Sequence, residues 1–199
     1  MKNIAILVLA AGKSSRMNSI KQLEKINEKT LLELTLEKIQ CVYTSTIFCV
    51  LGANSDKIKP EIRTKDIQFI ENANFEEGLS SSIVSGVEYL KNKEFNLEGI
   101  FILLADQPAI NVAYIEDMIH LFNQNKNSII ASNYGKKFGV PAIFPKKYFS
   151  NLLLIKGDKG AKEFISKKKN EILCSTITTN FLDIDTKEDL QRYKKSILK

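Results

Sequence analysis

The sequence predicts an α/β fold, a mostly parallel sheet with helices on both faces. Two observations carry this. Strand-like and helix-like patterns alternate along the chain, as repeated strand–helix units do. The strongest strand candidates are continuous apolar runs, as burial on both faces requires. No internal repeat, low-complexity stretch or Gly/Pro/Ser-rich linker interrupts the pattern, so residues 1–199 read as one domain. With 44% hydrophobic residues, a chain of this length can build a core.

The elements follow in order. Residues 4–10 (IAILVLA) form the first buried strand. Residues 30–43 place apolar side chains at 32, 36, 39 and 43, one helical face, and Thr30 with Glu33 has capping-box spacing at its start. Residues 46–52 and 67–72 are the next strands, and 80–90 is a helix with a small-residue first turn. Residues 99–106 (GIFILLAD) form a strand that ends on an acid. A helix over 112–124 and a strand over 128–133 follow. Residues 136–149 read as an edge strand turning into a helix, because prolines do not suit a central ladder. A helix over 160–169, a strand over 171–177 and a helix over 186–198 close the chain. In such sheets ligands bind beyond the carboxyl ends of the strands. The loop after 4–10 and the acid after 99–105 therefore share one rim.

Composition removes several function classes. The formal net charge is +6, from 29 Lys+Arg against 23 Asp+Glu. The excess is spread out, with local runs only at Lys167–Lys169 and Lys194–Lys195. That suits a small anionic ligand better than nucleic acid, which calls for a basic stripe with interleaved aromatics. Cys41, Cys49 and Cys174 contain no CxxC pair and read as buried, reduced thiols. His120 is the only histidine and sits in a helical run, which disfavours Ser-His-Asp or Cys-His chemistry. The apolar run at 4–11 is far short of the ~20 residues of a spanning helix and lacks the form of a secretory signal. A cytoplasmic protein with no membrane partner is expected.

Four stretches carry candidate chemistry. In LVLAAGKSSRMNSIKQL (7–23), Ala10, Ala11 and Gly12 let phosphates approach backbone N–H groups, and Ser14 and Ser15 add hydroxyl donors. Arg16 can grip phosphate oxygens in pairs, and Lys21 is a mobile point charge. The same stretch also reads as a strand-exit turn with a polar loop. Asp106, in LLADQP, follows an apolar run, so its carboxylate needs a partner or a metal such as Mg²⁺; the alternative is an Asp that starts a turn. In LDIDTKEDL (182–190), Asp183 and Asp185 project to one face of an extended segment. Thr186 and Asp189 have capping-box spacing, which frees Asp185 to ligate a metal; the alternative is that Asp185 is itself the N-cap. In EEGLSSSIVSGV (76–87), Gly78 and Ser80–Ser82 sit at a helix start able to hold an anion or a base edge.

Together LVLAAGKSSRM with Lys21, GLSSSIVSGV, LLADQP, GVPAIF, GDKGAK and DIDTKEDL resemble, in content and order, the MobA-like nucleotidyltransferases, and most closely the molybdenum cofactor cytidylyltransferases. The resemblance implies a Rossmann-like nucleotide-diphospho-sugar transferase fold. It implies nucleotide binding by Leu9, Ala10, Ala11, Gly12, Arg16 and Lys21, with Ser82 near the base or ribose; Ser14, Ser15 and Gly78 complete the candidate nucleotide site. Asp106 would ligate Mg²⁺, with Asp185 as a second ligand. In this family an LAAG loop goes with cytidine transfer and LAGG with guanosine transfer, so Leu9-Ala10-Ala11-Gly12 favours CTP. Two positions depart from the pattern. Asn18 stands where glycine often follows Arg-Met, and Val140 stands where a polar residue or His often separates glycine and proline.

The expected reaction moves a cytidylyl group from CTP to the terminal phosphate of molybdopterin or molybdenum cofactor and releases pyrophosphate. Arg16, Lys21 and Asp106 are the expected catalytic residues. The nucleophile is already anionic, so no general base is required. A recipient molybdoenzyme is a further expected partner. The alternatives are a sugar or alditol phosphate acceptor, or a non-catalytic cofactor-binding chaperone of a molybdoenzyme.

Overall fold

The computed structural model describes residues 3–197. Its strands are β1 (Ile4–Leu9), β2 (Lys25–Ile26), β3 (Lys29–Thr30), β4 (Ile47–Leu51), β5 (Ile67–Glu71), β6 (Gly99–Leu104), β7 (Ile129–Asn133), β8 (Phe138–Pro145) and β9 (Ile172–Leu173). Its α-helices are α1 (Leu31–Gln40), α2 (Ser55–Ile58), α3 (Leu79–Asn92), α4 (Val112–Gln124), α5 (Phe149–Leu152), α6 (Lys162–Ser166) and α7 (Lys187–Ile197). Seven strands form one sheet in the order β5-β4-β1-β6-β8-β7-β9, and β2 and β3 make a small separate hairpin. β5, β4, β1 and β6 are mutually parallel, while β8 runs antiparallel to both neighbours.

β1 shows why apolar runs made these strands. Ile4, Ile6 and Val8 face a core shared with Leu32, Leu36 and Ile39 of α1 and Met118 and Phe122 of α4. Ala5, Leu7 and Leu9 face a second core with Ile83, Val87 and Leu90 of α3. Each fully buried side chain of this size contributes roughly 1.5–3 kcal/mol, so a polar substitution on either face is costly. Thr30 and Glu33 form the expected capping box: Glu33 N–H donates to Thr30 Oγ1 at 3.2 Å, and Thr30 N–H donates to Glu33 Oε2 at 2.9 Å.

The expectations for 136–149, 160–169, 171–177 and the cysteines need correction. β8 is interior, between β6 and β7, not an edge strand. Pro145 ends the strand opposite Gly99. Pro141 falls in a bulge, where Ala142 pairs with Ala131 but the next pair is Gly139 with Ser132. The ladder asks for no N–H at Pro141, so an interior strand accommodates it. The 160–169 helix is confined to α6, and the 171–177 strand to β9. Cys49 alone is buried; Cys41 is exposed at the end of α1, and Cys174 is intermediate beyond β9. None is in a disulfide.

The register positions the rim. Leu9 at the end of β1 lies level with Leu104 at the end of β6. The chain therefore leaves both strands side by side, towards Ala10–Gly12 and Ala105–Asp106.

Candidate functional site

The loop after β1 is held open by its own neighbours. Ala10 N–H donates to the Val50 carbonyl at 2.8 Å. Gln22, 4% exposed, donates from Nε2 to the carbonyls of Ala10 (2.7 Å) and Gly12 (3.1 Å). Ser14 turns inward. Its Oγ donates to Gln22 Oε1 at 3.2 Å and accepts from Lys21 N–H at 3.0 Å. Met17 is fully buried with Ile26, Leu31, Ile184, Leu190 and Tyr193, which ties the loop to α7. Asn18 has φ +55°, a left-handed conformation that glycine and asparagine tolerate best. That accounts for asparagine at a position where glycine is common.

The acid loop is pinned from several sides. Ala105 N–H donates to the Leu9 carbonyl at 3.0 Å, and Thr35 Oγ1 donates to the Ala105 carbonyl at 3.1 Å. Tyr193 of α7 donates to the Pro108 carbonyl at 2.9 Å. Ile184 N–H donates to the Asp106 carbonyl at 2.9 Å, which brings the segment before α7 alongside Asp106. Thr186 and Asp189 form a capping box for α7, with Asp189 N–H on Thr186 Oγ1 at 3.2 Å and Thr186 N–H on Asp189 Oδ2 at 3.0 Å. Asp185 is thereby released from capping.

The charged side chains converge. Lys21 Nζ lies 2.7 Å from Asp106 Oδ2 and 3.0 Å from Asp185 Oδ1, and Arg16 lies 2.9 Å from Asp185 Oδ2. Burial alone would lower the Lys21 pKa. Asp106 first, and then Asp185, overcome it and hold the ammonium above its ordinary value, so it stays charged. Asp106 Oδ1 is buried and has no hydrogen-bond partner among the described residues. Among the described residues no three His, Cys, Asp or Glu side chains form a metal cage. Asp106 and Asp185 still supply hard oxygen donors, and Mg²⁺ commonly takes one or two carboxylates plus phosphates and water. The donor set fits that ion.

Beside this cluster lies a cleft of about 260 Å³. Leu9, Ala10, Ala11, Gly12, Lys21, Gly78, Ser82 and Asp106 line it. Ser14, Ser15, Arg16 and Asp185 do not: Ser14 is engaged with Gln22, Ser15 is exposed, and Arg16 and Asp185 stand at the mouth around Lys21. Gln22, Phe75, Leu79, Leu104 and Ala105 also line the cleft and were not anticipated. Phe75 is seated by Gly52, where a Cβ would come within 2.7 Å of both the Ala11 carbonyl oxygen and Phe75 Cβ. Gly78 has φ +92°, and a Cβ there would lie 2.8 Å from Asp158 Cα, so the GDKGAK loop packs against the start of α3. Lys13, the other cation of the opening loop, pairs with Glu76 and lies 5.5 Å from the Phe75 ring centroid.

A mostly parallel α/β sheet thus carries a small-residue loop and an acid on adjoining strand ends, beside one cleft. A family model described as the MobA-like NTP transferase domain matches residues 6–172, and the chain belongs to that family. It is 24% identical over 147 residues to the bifunctional protein GlmU of Francisella tularensis subsp. novicida (strain U112), covering 73% of this chain and 31% of that protein. The chain thus spans less than a third of the length of the curated relatives it matches. Among solved structures, a homolog of Rv0371c from Mycobacterium sp. strain JC1 superimposes with a TM-score of 0.83 at 26% identity, over 98% of this chain and 96% of that one. Rv0371c from Mycobacterium tuberculosis H37Rv, in complex with manganese, gives 0.78 at 23% identity, over 98% and 99%.

Proposed function

We propose that the chain transfers a cytidylyl group from CTP to the terminal phosphate of a phosphorylated pterin, molybdopterin or molybdenum cofactor, with release of pyrophosphate. The observation that supports this is the meeting of Lys21, Asp106 and Asp185 at the mouth of the cleft lined by Leu9–Gly12. CTP is favoured by the resemblance of Leu9-Ala10-Ala11-Gly12 to the LAAG loop that goes with cytidine transfer, with the Ala11 methyl group on the cleft wall as the element that would exclude a purine.

Each residue has a role in this reading. The backbone of Ala10–Gly12 meets the phosphates, with Gln22 holding its carbonyls back. Lys21 and Arg16 stabilise the leaving pyrophosphate. Asp106 and Asp185 would hold Mg²⁺, which when bound supplies charge neutralisation to the phosphates. A divalent ion is in keeping with the manganese of the Rv0371c structure. The attacking phosphate is an anion at neutral pH, so alignment and charge replace a general base. His120, exposed on α4, takes no part.

Pyrophosphate release with CTP, GTP and ATP in turn, with and without molybdopterin, tests the proposal. Release with CTP that depends on the pterin is expected. Release with a sugar or alditol phosphate and not with the pterin overturns the acceptor. Tight pterin binding with no turnover of any nucleotide overturns the transferase reading in favour of a carrier. Among the described residues no helix is long and apolar enough to cross a membrane.

A further inference from the structure

Three consecutive serines open α3, and hydrogen bonding tells them apart. Ser80 is fully buried and its Oγ has no partner among the described residues. Ser81 Oγ donates to the Gly78 carbonyl at 2.8 Å, which uses its proton within the first turn. Ser82, 3% exposed, is the one that lines the cleft. Its Oγ accepts from Asn72 Nδ2 at 3.1 Å, and the same amide nitrogen donates to Ser81 Oγ at 2.9 Å. Asn72 is itself buried directly after β5. Its N–H donates to the Leu51 carbonyl at 2.8 Å, and its Oδ1 accepts from Asn74 N–H at 2.9 Å. A backbone donor on Oδ1 fixes which end of the amide faces the serines.

A hydroxyl has one proton and two lone pairs. With a donor fixed on Ser82 Oγ, and no acceptor for its proton among the described residues, that proton is available only to the cleft. We infer that Asn72 is a positioning residue: it makes Ser82 a hydrogen-bond donor and so selects a ligand that presents an acceptor at this wall. The matching chemistry is a ring carbonyl or unprotonated ring nitrogen, as on the edge of a pyrimidine base. An edge bearing only an amino group leaves the Ser82 proton unpaired, and unpaired polar groups are what sites reject most strongly. The inference rests on the nucleotide reading above and adds the atom that reads the base.

Calorimetric titration of the wild type, Ser82→Ala, Asn72→Asp and the double variant with CTP and MgCl₂ tests it. Aspartate replaces the amide nitrogen with an oxygen that takes the Ser82 proton, which reverses the hydroxyl. Ser82→Ala is expected to weaken CTP binding roughly five- to tenfold, the scale of one hydrogen bond. Asn72→Asp is expected to weaken it at least as much, yet to add nothing in the Ser82→Ala background. Steady-state assays are expected to show a raised KM with kcat nearly unchanged. Undiminished loss from Asn72→Asp in the Ser82→Ala background overturns the inference, because the effect then comes from charge or packing. Wild-type affinity in Ser82→Ala overturns it even if the aspartate variants do not fold. A wild type that binds no nucleoside triphosphate overturns the nucleotide reading first, and this inference with it.

Discussion

Replacing Asp106 with asparagine separates folding from chemistry. Asp106 Oδ2 is 2.7 Å from Lys21 Nζ, and the two side chains are 25% and 12% exposed. Losing one partner of a fully buried pair costs about 3–5 kcal/mol, and an exposed pair is worth about 0–1 kcal/mol. This pair lies between those limits. Lys21 also keeps Asp185 at 3.0 Å, and asparagine retains an acceptor oxygen. A stability loss of about 1 kcal/mol follows, a fall in Tm of roughly 2–4 °C for a chain of this size. Catalysis is expected to respond on another scale. Removing one preorganised electrostatic contact costs about 2.7–4 kcal/mol, or roughly 10²–10³ in turnover. Urea unfolding and pyrophosphate release at saturating CTP, molybdopterin and MgCl₂ give the two numbers. Turnover within tenfold of wild type would refute the role of Asp106. A stability loss above about 3 kcal/mol would show that the carboxylate belongs to the fold.

Further outcomes can be checked alongside. Gly52→Ala forces a Cβ to within 2.7 Å of the Ala11 carbonyl oxygen, so the cleft wall must shift; a raised KM for nucleotide is expected, and an unchanged KM would show that the wall yields freely. Thr186→Ala removes the α7 cap and should cost about 1 kcal/mol by urea unfolding. It should also lower turnover, since the cap is what leaves Asp185 beside Lys21; intact turnover would separate the two. Lys147, and after it Tyr148 and Lys168, hold the Glu171 carboxyl down at about 2. A carboxyl depressed by folding stabilises above its unfolded value, about 4.3, and loses that effect as pH falls towards the folded one. The urea midpoint of Glu171→Gln should therefore depend less on pH between about 4.5 and 2 than that of the wild type, and parallel profiles would contradict the ion-pair geometry.

What could be read from the sequence was local. β1, β4 and β6 announce themselves as apolar runs because burial on both faces needs no partner information. The Thr30–Glu33 box and the face of α1 follow from spacing within one helix. What escaped depends on contacts between distant residues. Pro141 argues against an interior strand until the bulge opposite it is known. Gln22 has no signature, since a glutamine in a polar loop becomes a strut only once Ala10 and Gly12 present their carbonyls to it. Ser14 has the composition of a phosphate ligand but faces Gln22. Whether Asp185 or Thr186 caps α7 turned on where Thr186 points, which spacing left open.

The Ile184–Asp106 backbone bond and the buried Met17–Tyr193 cluster mean that the charged cluster around Lys21 is completed by a segment far along the chain from both Lys21 and Asp106. Lys21 and Asp106 precede that segment in the chain and can meet once β1 pairs with β6. Asp185 joins them only when α7 seats, past residue 172, where the family match stops. A protease cut in the exposed connection near Ile177 would thus spare most of the sheet while unfastening one of the two acids from the lysine. Such nicked material should melt much like intact protein and still be a poor catalyst.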